Sequence, residues 1–193
     1  SHDWLLNNVP MDKEILRKWL KCGFVFKGEV FPTEEGTPQG GIISPTLANI
    51  ALNGIEKALS GFKQTTRNGV AYNPKVSLIR YADDFIITGA SKEILENEVK
   101  PILVEFFQER GLELSEEKTV ITHVSEGFDF LGFNVRKYNG TLLTKPSKKS
   151  VKKLTEKVKV LLKSHRAVKQ EEILMMLNPI LTGWSMYYRY CAA

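Results

Sequence analysis

Two cysteines, Cys22 and Cys191, are all that the chain of 193 residues holds. Their spacing suits neither a thiolate metal site nor a disulfide framework, and so few thiols fit a reducing compartment. No run of 18 or more apolar residues occurs, so no membrane-spanning helix is expected. No secretory signal is visible, although the chain starts at Ser1 without a methionine, so that lack carries little weight. No internal repeat and no low-complexity stretch stands out. What is present is ordinary globular material, 42% hydrophobic and 25% charged. That suffices for a buried core in one medium domain or two small ones. The net charge of +5 is modest, so the placement of the cations matters more than their sum.

Capping residues and periodicity give a mixed order of elements. The spacing predicts a helix over 12–22, with Asp12 as N-cap, Ile15, Leu16, Trp19 and Leu20 on its apolar face, and Gly23 as its stop. Residues 24–31 read as a strand pair about Gly28, and 36–41 as a loop rich in glycine. Ser44, ahead of Pro45, reads as the cap of a helix bearing Leu47, Ile50, Ala51, Ile55 and Leu59. Residues 60–75 read as a polar surface connection. Apolar runs at 76–81 and 85–89 flank an acidic step and predict a β-hairpin with the acids at its tip. Ser91 caps a helix that reaches Arg110, with Pro101 as a point of bending and Gly111 as its stop. Residues 119–124 and 128–136 read as strands about a turn at 125–127, with a short strand at 141–144. The composition changes at Pro146. From Lys145 to Lys169 there are ten Lys or Arg residues and one acid, Glu156. Val151, Leu154, Val158, Leu161 and Leu162 hold helical spacing within that run. Helical segments near 170–177 and 180–190 follow, and a domain boundary is expected near 146.

The acidic step sits in "IRYADDFIITG", residues 79–89. Val76, Leu78, Ile79, Tyr81, Phe85, Ile86 and Ile87 favour an interior; Asp83 and Asp84 do not. A buried unpaired carboxylate costs several kcal/mol, and two side by side repel. An Asp-rich turn is the plain reading. A rigid pair of carboxylates is also what a hard cation needs, because Mg²⁺ takes oxygen ligands in near-octahedral geometry. Its charge would cancel the repulsion, and a pair of such ions can clamp the attacking and leaving oxygens of a phosphoryl transfer.

Tyr81-Ala82-Asp83-Asp84 resembles the catalytic box of reverse transcriptases. "GTPQGGIISPTLANIAL" (36–52) resembles their nucleotide-pocket box, "LELSEEKT" (112–119) the box after the catalytic hairpin, and "FDFLGFNV" (128–135) the primer grip. "LNPILTGWSMYYRY" (177–190) resembles the thumb, or maturase, segment of group II intron proteins. The boxes stand in the family's order and cover almost the whole chain. The family that matches best is the group II intron-encoded reverse transcriptase, often also a splicing maturase. The resemblance implies an α+β fold: a palm (1–145) with a small antiparallel sheet backed by helices, then an all-helical thumb (146–193). It implies RNA-directed DNA synthesis, in which a primer 3′-hydroxyl attacks the α-phosphate of a dNTP, with a further role in assisting intron splicing.

Residue by residue, the resemblance makes Asp83 the foremost metal ligand and Asp84 the second acid, less directly engaged with metal. Tyr81 packs near the incoming nucleotide and primer end, or is hairpin core. Gln39 and Gly40 match residues near the incoming nucleotide. Lys118 matches a lysine that serves the pyrophosphate leaving group or the triphosphate, with a solvated lysine as the alternative. Leu131 and Gly132 match the primer grip. Arg80 meets either phosphate or an acid. The cofactor implied is a pair of Mg²⁺ ions. The family's third carboxylate precedes the segment matching "SHDWLL", so it is expected upstream of Ser1, together with the fingers; Asp3 and Asp12 are poor substitutes. The chain by itself is therefore expected not to extend a primer.

Ten cations against one anion exceed what solubility needs, so Lys148, Lys149, Lys152 and Lys153 are candidates for a nucleic-acid backbone. Trp184, Tyr187, Tyr188 and Tyr190 read as core first and base-stacking residues second. The partners expected are an RNA template, a DNA primer, dNTPs and intron RNA, with no membrane. A bacterial cytoplasm is the expected location and an organelle the alternative. The rival readings are a maturase with an unused polymerase site, a retron, diversity-generating or CRISPR-linked reverse transcriptase, and a nucleotide cyclase. The Pro-Gln-Gly box, the primer grip and the basic segment disfavour the cyclase. An intact Tyr-Ala-Asp-Asp disfavours a maturase without chemistry.

Overall fold

The computed structural model describes residues 1–37, 41–63, 65–67 and 70–192. The fold divides into two compact units, Ser1–Ile121 and Thr122–Ala193.

The first unit opens with α1 (His2–Asn8) and α2 (Lys13–Lys21). Asp12 caps α2 as expected, its Oδ1 accepting from the N–H groups of Glu14 and Ile15, each at 2.9 Å. Leu16 and Leu20 are buried, but Ile15 and Trp19 of the expected apolar face are 46% and 42% exposed. Gly23 ends the helix with φ +72, where a Cβ would run into the Phe31 carbonyl. The strands β1 (Phe24–Phe26) and β2 (Glu29–Phe31) pair antiparallel about Lys27 and Gly28. Next comes α3 (Ser44–Leu52), whose N-cap is Ile43, so Ser44 stands inside the first turn rather than at the cap. Pro45 fits there because the missing N–H has no helical partner anyway.

The helix expected to run from Leu47 to Leu59 is broken at Asn53–Gly54, and α4 (Ile55–Ala58) follows. Gly54 adopts φ +100, which a residue with a Cβ rarely does. Residues of this stretch go to different cores, with Leu52, the last residue of α3, already in the core of the residues after the break. Leu47 joins Leu5, Val9, Leu16 and Leu20, whereas Ile55 and Leu59 join Phe62 and the later helices. Residues 60–75 are more than a surface connection: Phe62 and Pro74 are buried, and β3 (Thr65–Arg67) pairs with β4 (Val70–Tyr72). The expected hairpin forms from β5 (Ser77–Tyr81) and β6 (Asp84–Thr88). Ser91 caps α5 (Lys92–Ile94), which continues through a π-helical segment, Leu95–Val99, into α6 (Lys100–Gln108). Pro101, just after the π segment, lacks the N–H that would extend the regular ladder. Leu52, Ile55, Leu59, Ile94, Val99, Leu103, Phe106 and Phe107 make the core, and Val76, Leu78, Phe85 and Ile87 of the hairpin pack on it. No strand forms at 119–124; Val120 is exposed, and without a half-buried surface its strand preference has nothing to act on.

In the second unit β7 (Phe128–Phe130), β8 (Phe133–Tyr138) and β9 (Thr141–Pro146) form one antiparallel sheet in that order. The segment 128–136 is thus a hairpin in itself, folded back at Leu131 and Gly132. Its basic helix is α7 (Lys148–Ser164), capped by the buried Ser147. The two closing helical segments are one, α8 (Gln170–Tyr187), with Pro179 inside it. The change of composition at 146 falls within this unit. The sheet and helices join there because Phe133 stacks on Tyr187 and meets Tyr188 edge-on.

Candidate functional site

The β5–β6 register pairs Tyr81 with Asp84, which leaves Ala82 and Asp83 as a two-residue turn. Asp83 therefore stands at the tip and Asp84 opens β6. Ala82 has φ +54, an uncommon conformation for a residue with a Cβ and a form of strain that tends to occur at functional sites. Arg80 braces the turn. Its guanidinium donates to the Ala82 carbonyl and to Asn49 Oδ1, each at 3.2 Å, and lies 3.5 Å from Glu56 Oε1. Between the two partners the sequence left open, the structure gives Arg80 the acid.

Alternation along the strands sets the two faces. Leu78, Phe85 and Ile87 pack on the core and hold the hairpin to the helices. Ile79, Tyr81 and Asp84 lie on the other face, and Tyr81 is 67% exposed. The expected burial of Ile79 and Tyr81 is thus corrected: a strand has two faces, and their face is outward. Asp83 and Asp84 are exposed as well, so the hairpin bears no cost of burying them.

Two adjacent carboxylates are chemically right for Mg²⁺ but fall short of a full ligand set. Among the described residues no group of three or more His, Cys, Asp and Glu side chains could hold a metal ion. Asp3 lies exposed in the first turn of α1, and Asp12 is engaged as a cap. Gln39 and Gly40 lie outside the described residues. Lys118 is exposed, in a turn where its N–H donates to the Ser115 carbonyl at 3.2 Å.

A second cluster forms in the other unit. Leu131 and Gly132 take φ values of 49 and 83 at the β7–β8 turn. Together with Asp129, Phe130, Ser147, Lys149, Ser150 and Lys153 they line a pocket of about 230 Å³. The fold thus brings both primer-grip candidates together with two of the four lysine candidates. Lys148 and Lys152 are exposed on α7 outside that lining. Of the four aromatic residues, Tyr188 is buried and Trp184 half-buried, whereas Tyr187 and Tyr190 are exposed. On the sheet, Lys145 donates to the Tyr138 hydroxyl at 3.1 Å, and that hydrogen bond holds the phenol below its ordinary pKa. Sequence reasoning missed the Arg80 brace and the hydroxyls of Tyr187 and Tyr188, which reach the turn carbonyls of Leu131 and Gly132. The available signal was two adjacent tyrosines, which mark a helix end with one inward and one outward ring but do not name their partners.

Comparison with known proteins gives consistent matches. Residues 2–135 match the model "Reverse transcriptase (RNA-dependent DNA polymerase)". Residues 151–193 match "Group II intron, maturase-specific domain". Protein YkfC of Escherichia coli is 33% identical over 61% of this chain and 37% of its own length. The group II intron-encoded protein LtrA of Lactococcus lactis is 27% identical over 81% of this chain and 35% of its own length. The putative COX1/OXI3 intron 2 protein of Saccharomyces cerevisiae is 29% identical over 68% of this chain and 21% of its own length. The chain spans little more than a third of the length of the first two of these relatives. Among the described residues no helix is long and apolar enough to cross a membrane.

Proposed function

The chain belongs to the reverse transcriptase family, and on that premise we propose that the full-length protein is an RNA-directed DNA polymerase of group II intron type. The observation that carries the reading is the braced β5–β6 turn, which presents Asp83 and Asp84 side by side on a hairpin anchored to the core. Palm and thumb meet near residue 146 in this reading. The reaction joins a primer 3′-hydroxyl to the α-phosphate of a dNTP, releasing pyrophosphate.

Asp83 and Asp84 are the residues that would hold Mg²⁺, with a third carboxylate from outside the described residues. Mg²⁺ bound there supplies positive charge to the attacking and leaving oxygens. Arg80 keeps the turn carbonyl, and hence the Asp83 backbone, in one place. Tyr81, on the same outer face as Asp84, borders the space for nucleotide and primer end. The resemblance assigns Gln39 and Gly40 to the incoming nucleotide, and Lys118 serves the triphosphate. The Leu131–Gly132 turn supports the primer terminus, and the lysines of α7 hold the duplex backbone. The maturase-type segment at 151–193 favours intron RNA as a second partner.

The test is primer extension by the full-length protein on an RNA template with an annealed DNA primer. Extension is expected to need Mg²⁺, template and dNTPs, and to stop on chelation. Failure to extend, or addition of nucleotides without regard to template, would overturn the reading.

A further inference from the structure

We propose that Tyr187 and Tyr188 are positioning residues. Through their hydroxyls the end of α8 fixes the height of the Leu131–Gly132 turn, and with it the primer terminus. The proposal rests on the reading of that turn as the primer grip.

The Tyr187 hydroxyl donates to the Leu131 carbonyl at 2.7 Å, and the Tyr188 hydroxyl to the Gly132 carbonyl at 3.1 Å. The Gly132 carbonyl also accepts from the Ser147 N–H at 2.8 Å and the Ser150 hydroxyl at 3.2 Å. A carbonyl has two lone pairs. Three donors on one such group are more than its hydrogen-bonding need, so the third does something other than satisfy it. Tyr187 is 54% exposed, so water could serve its hydroxyl equally well. Instead that hydroxyl is committed to the turn.

The rings that carry these hydroxyls are themselves held. Phe133 lies 5.1 Å from the Tyr187 ring and 4.9 Å from that of Tyr188, centroid to centroid. Trp184 lies 4.7 Å from Tyr188. The turn is correspondingly confined. A Cβ at Gly132 would stand 2.7 Å from the Tyr188 hydroxyl, and Leu131 occupies the left-handed region that non-glycine residues avoid. Gly132 has no side chain to set its height, and its carbonyl is held by the helix end through Tyr188.

A reacting group misplaced by about 1 Å can lose about a hundredfold in rate. Removing two hydroxyls while keeping both rings should displace the turn by less. For a Tyr187→Phe/Tyr188→Phe variant of the full-length protein, we expect kcat for single-nucleotide incorporation to fall about tenfold. The dNTP KM and the primer–template Kd should stay within about twofold, because the groups that bind nucleotide and duplex are untouched. A melting temperature close to the parent's is part of the expected result. Tyr187→Phe alone, which alters an exposed ring, should show the same split at about threefold. If the parent extends primers and both variants match it, this inference fails and the polymerase reading stands. A fall in kcat that merely follows lost folding or lost duplex binding would also overturn it, in favour of a structural role. If the parent itself incorporates no nucleotide, both readings fall.

Discussion

Replacing Asp83 with Asn in the full-length protein is expected to lower polymerisation by about three orders of magnitude while leaving duplex binding intact. The substitution keeps the shape of the side chain and removes only its charge. Asp83 is exposed at a turn, and Asn is at home in turns, so the fold is not at stake. The left-handed Ala82 and the Arg80 brace to its carbonyl are backbone features that the change does not touch. What is lost is a hard anionic oxygen, and clamped cations account for several kcal/mol of transition-state stabilisation. Asp84→Asn should cost less, since Asp84 opens a strand opposite Tyr81 rather than standing at the tip. The measurement is the rate of primer extension beside a filter-binding or anisotropy titration, with a thermal melt as the check on folding. Extension within tenfold of the parent by a folded Asp83→Asn protein would remove Asp83 from the set of metal ligands.

The acidic hairpin is legible in the sequence because its code is local. Two apolar runs separated by a short polar step leave few alternatives, and the antiparallel register follows from the length of the turn. Asp12 and Ser91 are legible as caps for the same reason: a side chain two or three residues from its partner is decided by the chain itself. What depends on distant partners is not legible. Leu47, Ile55 and Leu59 share one helical spacing, yet two cores compete for them and Asn53–Gly54 breaks between them. Val120 and Ile121 have the composition of a strand but no neighbour to pair with among the described residues. The two helical segments expected near 170–177 and 180–190 are one helix, which tolerates Pro179 within it.

The site divides along the same line. Asp83 and Asp84 announce themselves as adjacent acids in an apolar run, although the structure leaves both exposed. Leu131 and Gly132 were visible only through resemblance, and their partners, Ser150 and Tyr188, lie 18 and 56 residues from Gly132. No periodicity links residues that far apart. The lysines of α7 were visible as a charge imbalance, but the imbalance could not show that Lys149 and Lys153 share a pocket with the turn.

That imbalance leads to the second large effect. Replacing Lys148, Lys149, Lys152 and Lys153 together with Gln in the full-length protein should weaken binding to a primer–template duplex roughly fiftyfold near 0.15 M salt. Each lysine that neutralises a phosphate releases counterions, with a slope near −0.9 per contact for duplex DNA. At about 100° per residue the four fall within an arc of about 140°, so two or three can face one duplex and the slope should become shallower by roughly two units. Helix stability argues in the same direction. The first turn of α7 has no acid, and it carries Lys148 and Lys149. Cations at a helix N-terminus oppose the macrodipole, at a cost of about 0.3–1 kcal/mol each. Gln removes that cost at nearly equal helix propensity, so the variant should melt no lower than the parent. A feature that costs stability locally and is absent from no turn of the helix's opening is better explained by an anionic partner than by solubility. Phosphate contacts hold no base information, so the loss should be uniform across sequences. The check is a titration at several salt concentrations on two unrelated duplexes. An unchanged slope in a normally folded variant would mean that the duplex lies against another surface, and a loss confined to one sequence would mean that these lysines read bases.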